Sequence, residues 1–189
     1  MTDANPPTEH NLPDTPSMAT SLLLVNTGDG KGKSTAAFGT MLRALACNWS
    51  VAVIQFIKSG NWNSGEETIA RKLGVEWQAM GDGFSWDAEN LEHSAELARE
   101  AWRTACSLLE SGKHQLIILD EITYPINWGW LDMGEVVDGL TNRASNVNVV
   151  VTGRDAPQPL MDIADTVTEM VQVRHPYERG ILAMRGIDF

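Results

Sequence analysis

The sequence predicts an α/β fold, a mostly parallel central sheet of about six strands with helices on both faces, and three observations predict it. Short β-rich runs alternate with longer helix-compatible stretches from Ser21 onward, as expected where crossover helices cover both faces of a parallel sheet. A glycine-rich loop lies directly between the first apolar run and the first helical stretch, at the edge where open α/β sheets bind ligands. With 189 residues, 43% of them hydrophobic, the chain is long enough for one substantial core and too short for two.

Residues 1–19 hold four of the eight prolines, Pro6, Pro7, Pro13 and Pro16, among Thr, Asn and Asp, with no apolar periodicity to bury. This stretch reads as a mobile tail, and residues 20–189 as a single domain. Strands are expected at residues 22–26, 51–57, 75–80, 116–119, 147–152 and 167–173. Helices are expected at 33–47, 66–73, 88–111 and 133–141. The longest carries Leu91, Ala95, Ala98, Ala101 and Trp102 at helical spacing, which gives it one apolar face.

A formal net charge of −11 argues against nucleic acid as a partner, because such binding needs clustered Lys and Arg to displace counterions from phosphates. Any anionic ligand must therefore be held by a local site. The two cysteines, Cys47 and Cys106, are far apart and form neither a disulfide framework nor a zinc motif, which fits a reducing cytoplasm. No secretion signal or long apolar run is evident, so a soluble protein without a membrane partner is expected.

The strongest chemical signal is Thr27-Gly28-Asp29-Gly30-Lys31-Gly32-Lys33-Ser34-Thr35. Glycines let a backbone turn tightly and bring its N–H groups against phosphate oxygens, while the helix that follows adds partial positive charge at its N-terminus. Lys33 is placed to neutralise phosphate, and the Ser34 hydroxyl to ligand Mg²⁺. Aligned on Gly32-Lys33-Ser34, the loop has Thr27 where the common phosphate loop has its first Gly, so it is a variant. The apolar run Leu116-Ile117-Ile118-Leu119 ends in Asp120-Glu121, where proteins of this kind place acids that hold the metal directly or through water. Loop and acids together indicate a three-layer P-loop (RecA-like) fold that uses ATP. On these residues alone the chain could equally be an ATPase, a small-molecule kinase or a nucleotide-binding regulatory module.

Further segments narrow the choice. Thr27–Thr35 resembles the phosphate loop of the ATP:corrinoid adenosyltransferase family. Val53-Ile54-Gln55-Phe56-Ile57-Lys58, Gly81-Asp82-Gly83-Phe84-Ser85-Trp86, Leu119-Asp120-Glu121-Ile122-Thr123-Tyr124, Thr152-Gly153-Arg154 and His175-Pro176-Tyr177 with Gly180-Ile181 and Gly186-Ile187-Asp188-Phe189 resemble further segments of that family, in family order. The resemblance implies a transfer in which Co(I) of a reduced corrinoid attacks C5′ of ATP and triphosphate leaves. The acceptor would be cobalamin, cobinamide or a cobyrinic acid diamide. It also implies a nucleotide reversed in the loop, with the γ-phosphate where other P-loop proteins hold the α.

Under that resemblance the catalytic residues are Lys33, Glu121, Phe84 and Trp86, and the nucleotide is held by Thr27, Gly28, Asp29, Gly30, Lys31, Gly32, Lys33, Ser34 and Thr35. Mg²⁺, with Mn²⁺ as a substitute, is assigned to Ser34 and Glu121, with Asp120 behind them. Phe84 and Trp86 are expected to wall off the lower face of the corrin and ease reduction of Co(II). Trp62 is a secondary candidate for the same cleft; Arg154 is available to phosphate, and His175 reads as a structural hydrogen-bonding residue. A homodimer and an electron-donating flavoprotein reductase are further implications of the resemblance. Two positions depart from the family pattern: Asp29 replaces the usual Asn and adds negative charge, and Ser34 replaces Thr but keeps the hydroxyl.

Overall fold

The computed structural model describes residues 17–59, 64–83 and 91–188. Its strands are β1 (Leu23–Thr27), β2 (Val51–Ser59), β3 (Glu76–Gly81), β4 (Leu116–Asp120), β5 (Asn148–Thr152) and β6 (Thr166–Glu169). All pairings are parallel, in the order β3-β2-β4-β5-β1-β6. The helices are α1 (Lys33–Ala46), α2 (Gly65–Lys72), α3 (Leu91–Ser111), α4 (Thr123–Asn127), α5 (Met133–Thr141) and α6 (Gln158–Asp162), with a 3-10 turn at Pro176–Arg179.

Side chains in a strand alternate between faces, and the two halves of the core follow that alternation. Leu23 and Val25 of β1, Ile117 and Leu119 of β4, and Val149 and Val151 of β5 pack with α3, α5 and α6. Leu116, Ile118 and Val150 turn the other way, to α1 and α2. Helix α3 meets the sheet through Ala95, Ala98, Ala101 and Ala105, whose small side chains let the backbones come close. Opposite, Phe38 of α1 packs on Trp77 of β3 with ring centroids 5.2 Å apart. Fully burying one such aliphatic or aromatic side chain contributes roughly 1.5–3 kcal/mol, so the central strands anchor everything at their tips.

The expected strands and helices are all represented among the described residues, most with ends shifted by one or two residues; residues 88–90, expected to begin the longest helix, lie outside the described residues. The last strand differs more: expected to run to residue 173, β6 stops at Glu169. It is an edge strand whose partner β1 ends at Thr27, and beyond Met170 no ladder remains for Val171 and Val173, which are exposed. The short helices α4 and α6 were not expected, since five residues carry too little periodicity to read. Most of the proline-rich tail lies outside the described residues.

Candidate active site

Strand β1 delivers the chain into the glycine loop, and the loop's first residue is already engaged. Thr27 is buried, and its hydroxyl accepts the Ala156 N–H at 3.0 Å. That bond gives the side chain at the leading position a structural use that glycine would lack. Gly28 and Gly32 have φ of 92° and 115°, left-handed values that glycine adopts without steric cost. Gly32 caps α1, where no side chain bonds the free amides and the first turn holds no acid. The end of the helix is thus left with unsatisfied N–H groups and positive partial charge, an anion seat.

Lys33 closes the loop from inside, donating to the carbonyls of Gly28 at 2.6 Å and Gly30 at 2.7 Å. Burial, then the nearby Arg154 guanidinium, lowers its pKa from the ordinary lysine value. Ser34, half-buried, sits in the first turn of α1, whereas Asp29, Lys31 and Thr35 are exposed. The glycines also serve a contact not foreseen. A Cβ on Gly28 or Gly30 would come within 2.6 or 2.7 Å of the Met170 carbonyl oxygen. Instead the Gly30 N–H donates to that oxygen at 2.6 Å, and the Met170 N–H donates to the Thr27 carbonyl at 2.8 Å.

The acid pair lies across β5 from the loop, because β5 separates β1 from β4 in the sheet. Asp120, the last residue of β4, is fully buried and fully bonded. Its Oδ1 accepts from the Thr152 hydroxyl at 2.7 Å and its Oδ2 from Gln55 Nε2 at 2.8 Å, with Lys58 Nζ 3.8 Å away. Gln55 in turn accepts from Trp77 Nε1 at 3.2 Å, so a polar chain crosses four strands beneath the site. Such a network, fully satisfied, fixes the position of the carboxylate.

Glu121, one residue on, is left-handed with φ 64°, a conformation that costs a non-glycine residue on the order of 1–3 kcal/mol. It is held there by its N–H, which donates to the Thr152 hydroxyl at 2.9 Å. Burial, then the neighbouring Asp120 charge, pushes its pKa up to about 7. Its Oε2 is buried without a hydrogen-bond partner. An orphaned carboxylate oxygen on a strained residue beside a phosphate loop fits a divalent cation. Among the described residues no group of three or more His, Cys, Asp or Glu is placed to hold a metal. That donor set suits Mg²⁺, which typically takes one or two carboxylates, keeps water and uses substrate phosphates as ligands.

The structure therefore brings together Lys33, Ser34, Asp120, Glu121 and the glycine loop. Phe84, Trp86 and Trp62 lie outside the described residues. Arg154 is exposed and close enough in charge to influence Lys33 and Glu121, and His175 accepts the Tyr177 N–H at 3.1 Å, the structural bond expected of it. Sequence reasoning gave no role to Gln55, Thr152 or Lys58. The available signal was a polar side chain interrupting or ending an apolar strand.

Comparison with known proteins identifies the family. The family model of ATP:corrinoid adenosyltransferase BtuR/CobO/CobP matches residues 19–189. The corrinoid adenosyltransferase of Escherichia coli strain K12 is 40% identical over 168 residues, covering 89% of this chain and 85% of that protein. The corresponding proteins of Salmonella typhimurium and Pseudomonas aeruginosa are 38% and 39% identical, again over 89% of this chain and over 85% and 83% of their own lengths. Among solved structures, flagellar accessory protein FlaH from Methanocaldococcus jannaschii superposes with a TM-score of 0.52 at 11% identity, covering 80% of this chain and 71% of that one, a likeness of fold alone. With the family model matching residues 19–189 and relatives about 40% identical over most of their length, the chain belongs to the ATP:corrinoid adenosyltransferase family.

Proposed function

We propose that this protein transfers the 5′-deoxyadenosyl group of ATP to the Co(I) centre of a reduced corrinoid. The cobalt electron pair forms the bond to C5′, the C5′–O bond breaks, and its electrons leave with triphosphate; cobalt becomes formally Co(III). The observation that carries this reading is the uncapped, glycine-lined end of α1 facing an orphaned, desolvated carboxylate, in a chain of this family.

Each residue's part follows from its surroundings. Loop amides and the Lys33 ammonium stabilise the charge that grows on the departing oxygen, and they do so without reorganising. Asp120, Thr152 and Gln55 hold Glu121 in place. Ser34 and Glu121 would hold Mg²⁺, with Mn²⁺ as a substitute, which would supply charge neutralisation on the polyphosphate. The nucleophile belongs to the corrinoid, so the protein orients it and excludes water. Phe84 and Trp86 wall the lower corrin face; Trp86→Ala is expected to leave ATP binding intact and slow turnover most when the reaction starts from Co(II). Equal rates from Co(II) and Co(I) would remove that role.

Residues 20–189 act as one domain. A flavoprotein reductase supplies electrons, and the active form is a homodimer in the cytoplasm. Exposed apolar side chains on the C-terminal segment, including Val171, Val173, Leu182 and Ile187, support the dimer. Among the described residues no helix is long and apolar enough to cross a membrane. The test is product analysis with ATP, Mg²⁺ and chemically reduced cobalamin. Adenosylcobalamin and triphosphate in equal amounts are expected; ADP and phosphate without a cobalt–carbon bond would indicate an ATPase or kinase instead.

A further inference from the structure

The phosphate loop is clasped from outside by the end of the chain. Beyond β6, Met170 exchanges backbone hydrogen bonds with Thr27 and Gly30, at 2.8 and 2.6 Å. At the loop's tip, the Lys31 ammonium forms an ion pair with the carboxylate of Asp188. Asp188 does not dangle: its other oxygen accepts the Met184 N–H at 2.7 Å, and its own N–H donates to the Met184 carbonyl at 2.8 Å. Its side chain is only 17% exposed, against 53% for Lys31. A flexible, solvated lysine is therefore tied to an acid fixed in a closed turn.

Two lysines stand two residues apart in this loop, and they are held in opposite ways. Lys33 points inward, onto the Gly28 and Gly30 carbonyls, where a polyphosphate would compete for it. Lys31 points to Asp188. A lysine on a four-carbon stem at the mouth of an anion seat would otherwise be free to fold over the bound phosphates. In this family's reaction the anion that must leave is free triphosphate, which carries more negative charge than the same chain esterified to ribose. Extra positive charge at the loop would thus retain product more than it retains substrate.

We propose that Asp188 is a positioning residue that keeps Lys31, expected from the sequence to help hold the nucleotide, out of the phosphate seat, so that Lys33 is the one loop lysine that grips the polyphosphate and the triphosphate product is not over-bound. This rests on the reading of the loop as the polyphosphate site. It explains why an acid fixed in the turn beyond Met184 meets a loop whose other duty is to bind anions.

The test is calorimetric titration of the full-length chain with inorganic triphosphate, then with ATP. Asp188→Asn is expected to bind triphosphate about threefold more tightly than the unaltered protein, a change in the range of one exposed ion pair, with a smaller gain for ATP. Asp188→Glu should restore the original affinity, and in a Lys31→Ala background Asp188→Asn should have no further effect. A melting curve on each variant checks that the fold is intact. Unchanged or weaker triphosphate binding by Asp188→Asn overturns the proposal, as does an equal gain in the Lys31→Ala background, which would mean bulk charge rather than Lys31. Binding of neither ligand by the unaltered protein would remove the phosphate-site reading itself.

Discussion

Replacing Thr152 with Val removes one hydroxyl and keeps the shape, at the point where the two acids are joined. That hydroxyl donates to Asp120 at 2.7 Å and accepts from the Glu121 N–H at 2.9 Å, all within a site where Thr152 and Asp120 are 0% exposed. A hydrogen bond to a charged group contributes roughly 1.5–3 kcal/mol, and a buried N–H left unpaired costs about 1–3 kcal/mol. Part of the loss is recovered as Glu121 relaxes from its left-handed conformation, by on the order of 1 kcal/mol. The net expectation is a destabilisation of about 2–4 kcal/mol, large against the roughly 5–15 kcal/mol of a typical domain. Urea denaturation measures it directly. Because the same bond positions Glu121, the variant should also lose the Mg²⁺-dependent part of ATP affinity while keeping whatever affinity remains in EDTA. A Thr152→Val protein with unaltered denaturation midpoint and unaltered Mg²⁺ dependence would refute the reasoning.

Other perturbations follow from the same geometry. The pKa of Glu121 is raised in the fold to about 7 from 4.5, so its stabilising contribution is full below pH 4.5 and is lost as pH rises through about 7. In metal-free protein this loss amounts to at most about 3 kcal/mol; Glu121→Gln should flatten the profile and raise stability at pH 8, as thermal melts across pH would register. Gly153→Ala should lower the melting temperature by about 5–15 °C, since the new Cβ would fall 1.9 Å from Thr123 Oγ1 at a φ of 146°; an unshifted melt would disprove the clash. Lys33→Ala should abolish ATP binding in equilibrium titration without lowering the melting temperature by more than a few degrees.

The loop and the acid pair were legible because their chemistry is written locally. Glycines before a helix, a lysine and a hydroxyl in its first turn, and two acids ending an apolar run have the same meaning wherever the strands fall. The order of strands was not legible, and with it went the parts of the site that arise from neighbouring strands. Thr152 matters because β5 lies between β4 and β1; Gln55 matters because β2 flanks β4. The glycines were read as making room for phosphate, yet Gly28 and Gly30 also make room for Met170, a contact between positions 140 residues apart in the case of Gly30. The extent of β6 is not legible for a related reason: a β-branched run lengthens a strand only where a partner continues beside it.

The proposed transfer attacks carbon rather than phosphorus. It is tested most directly with ATP carrying ¹⁸O in the bridge between C5′ and the α-phosphorus, turned over with chemically reduced cobalamin, and mass spectrometry of the released polyphosphate. The label is expected to depart with triphosphate. Label retained on the nucleoside product would contradict it.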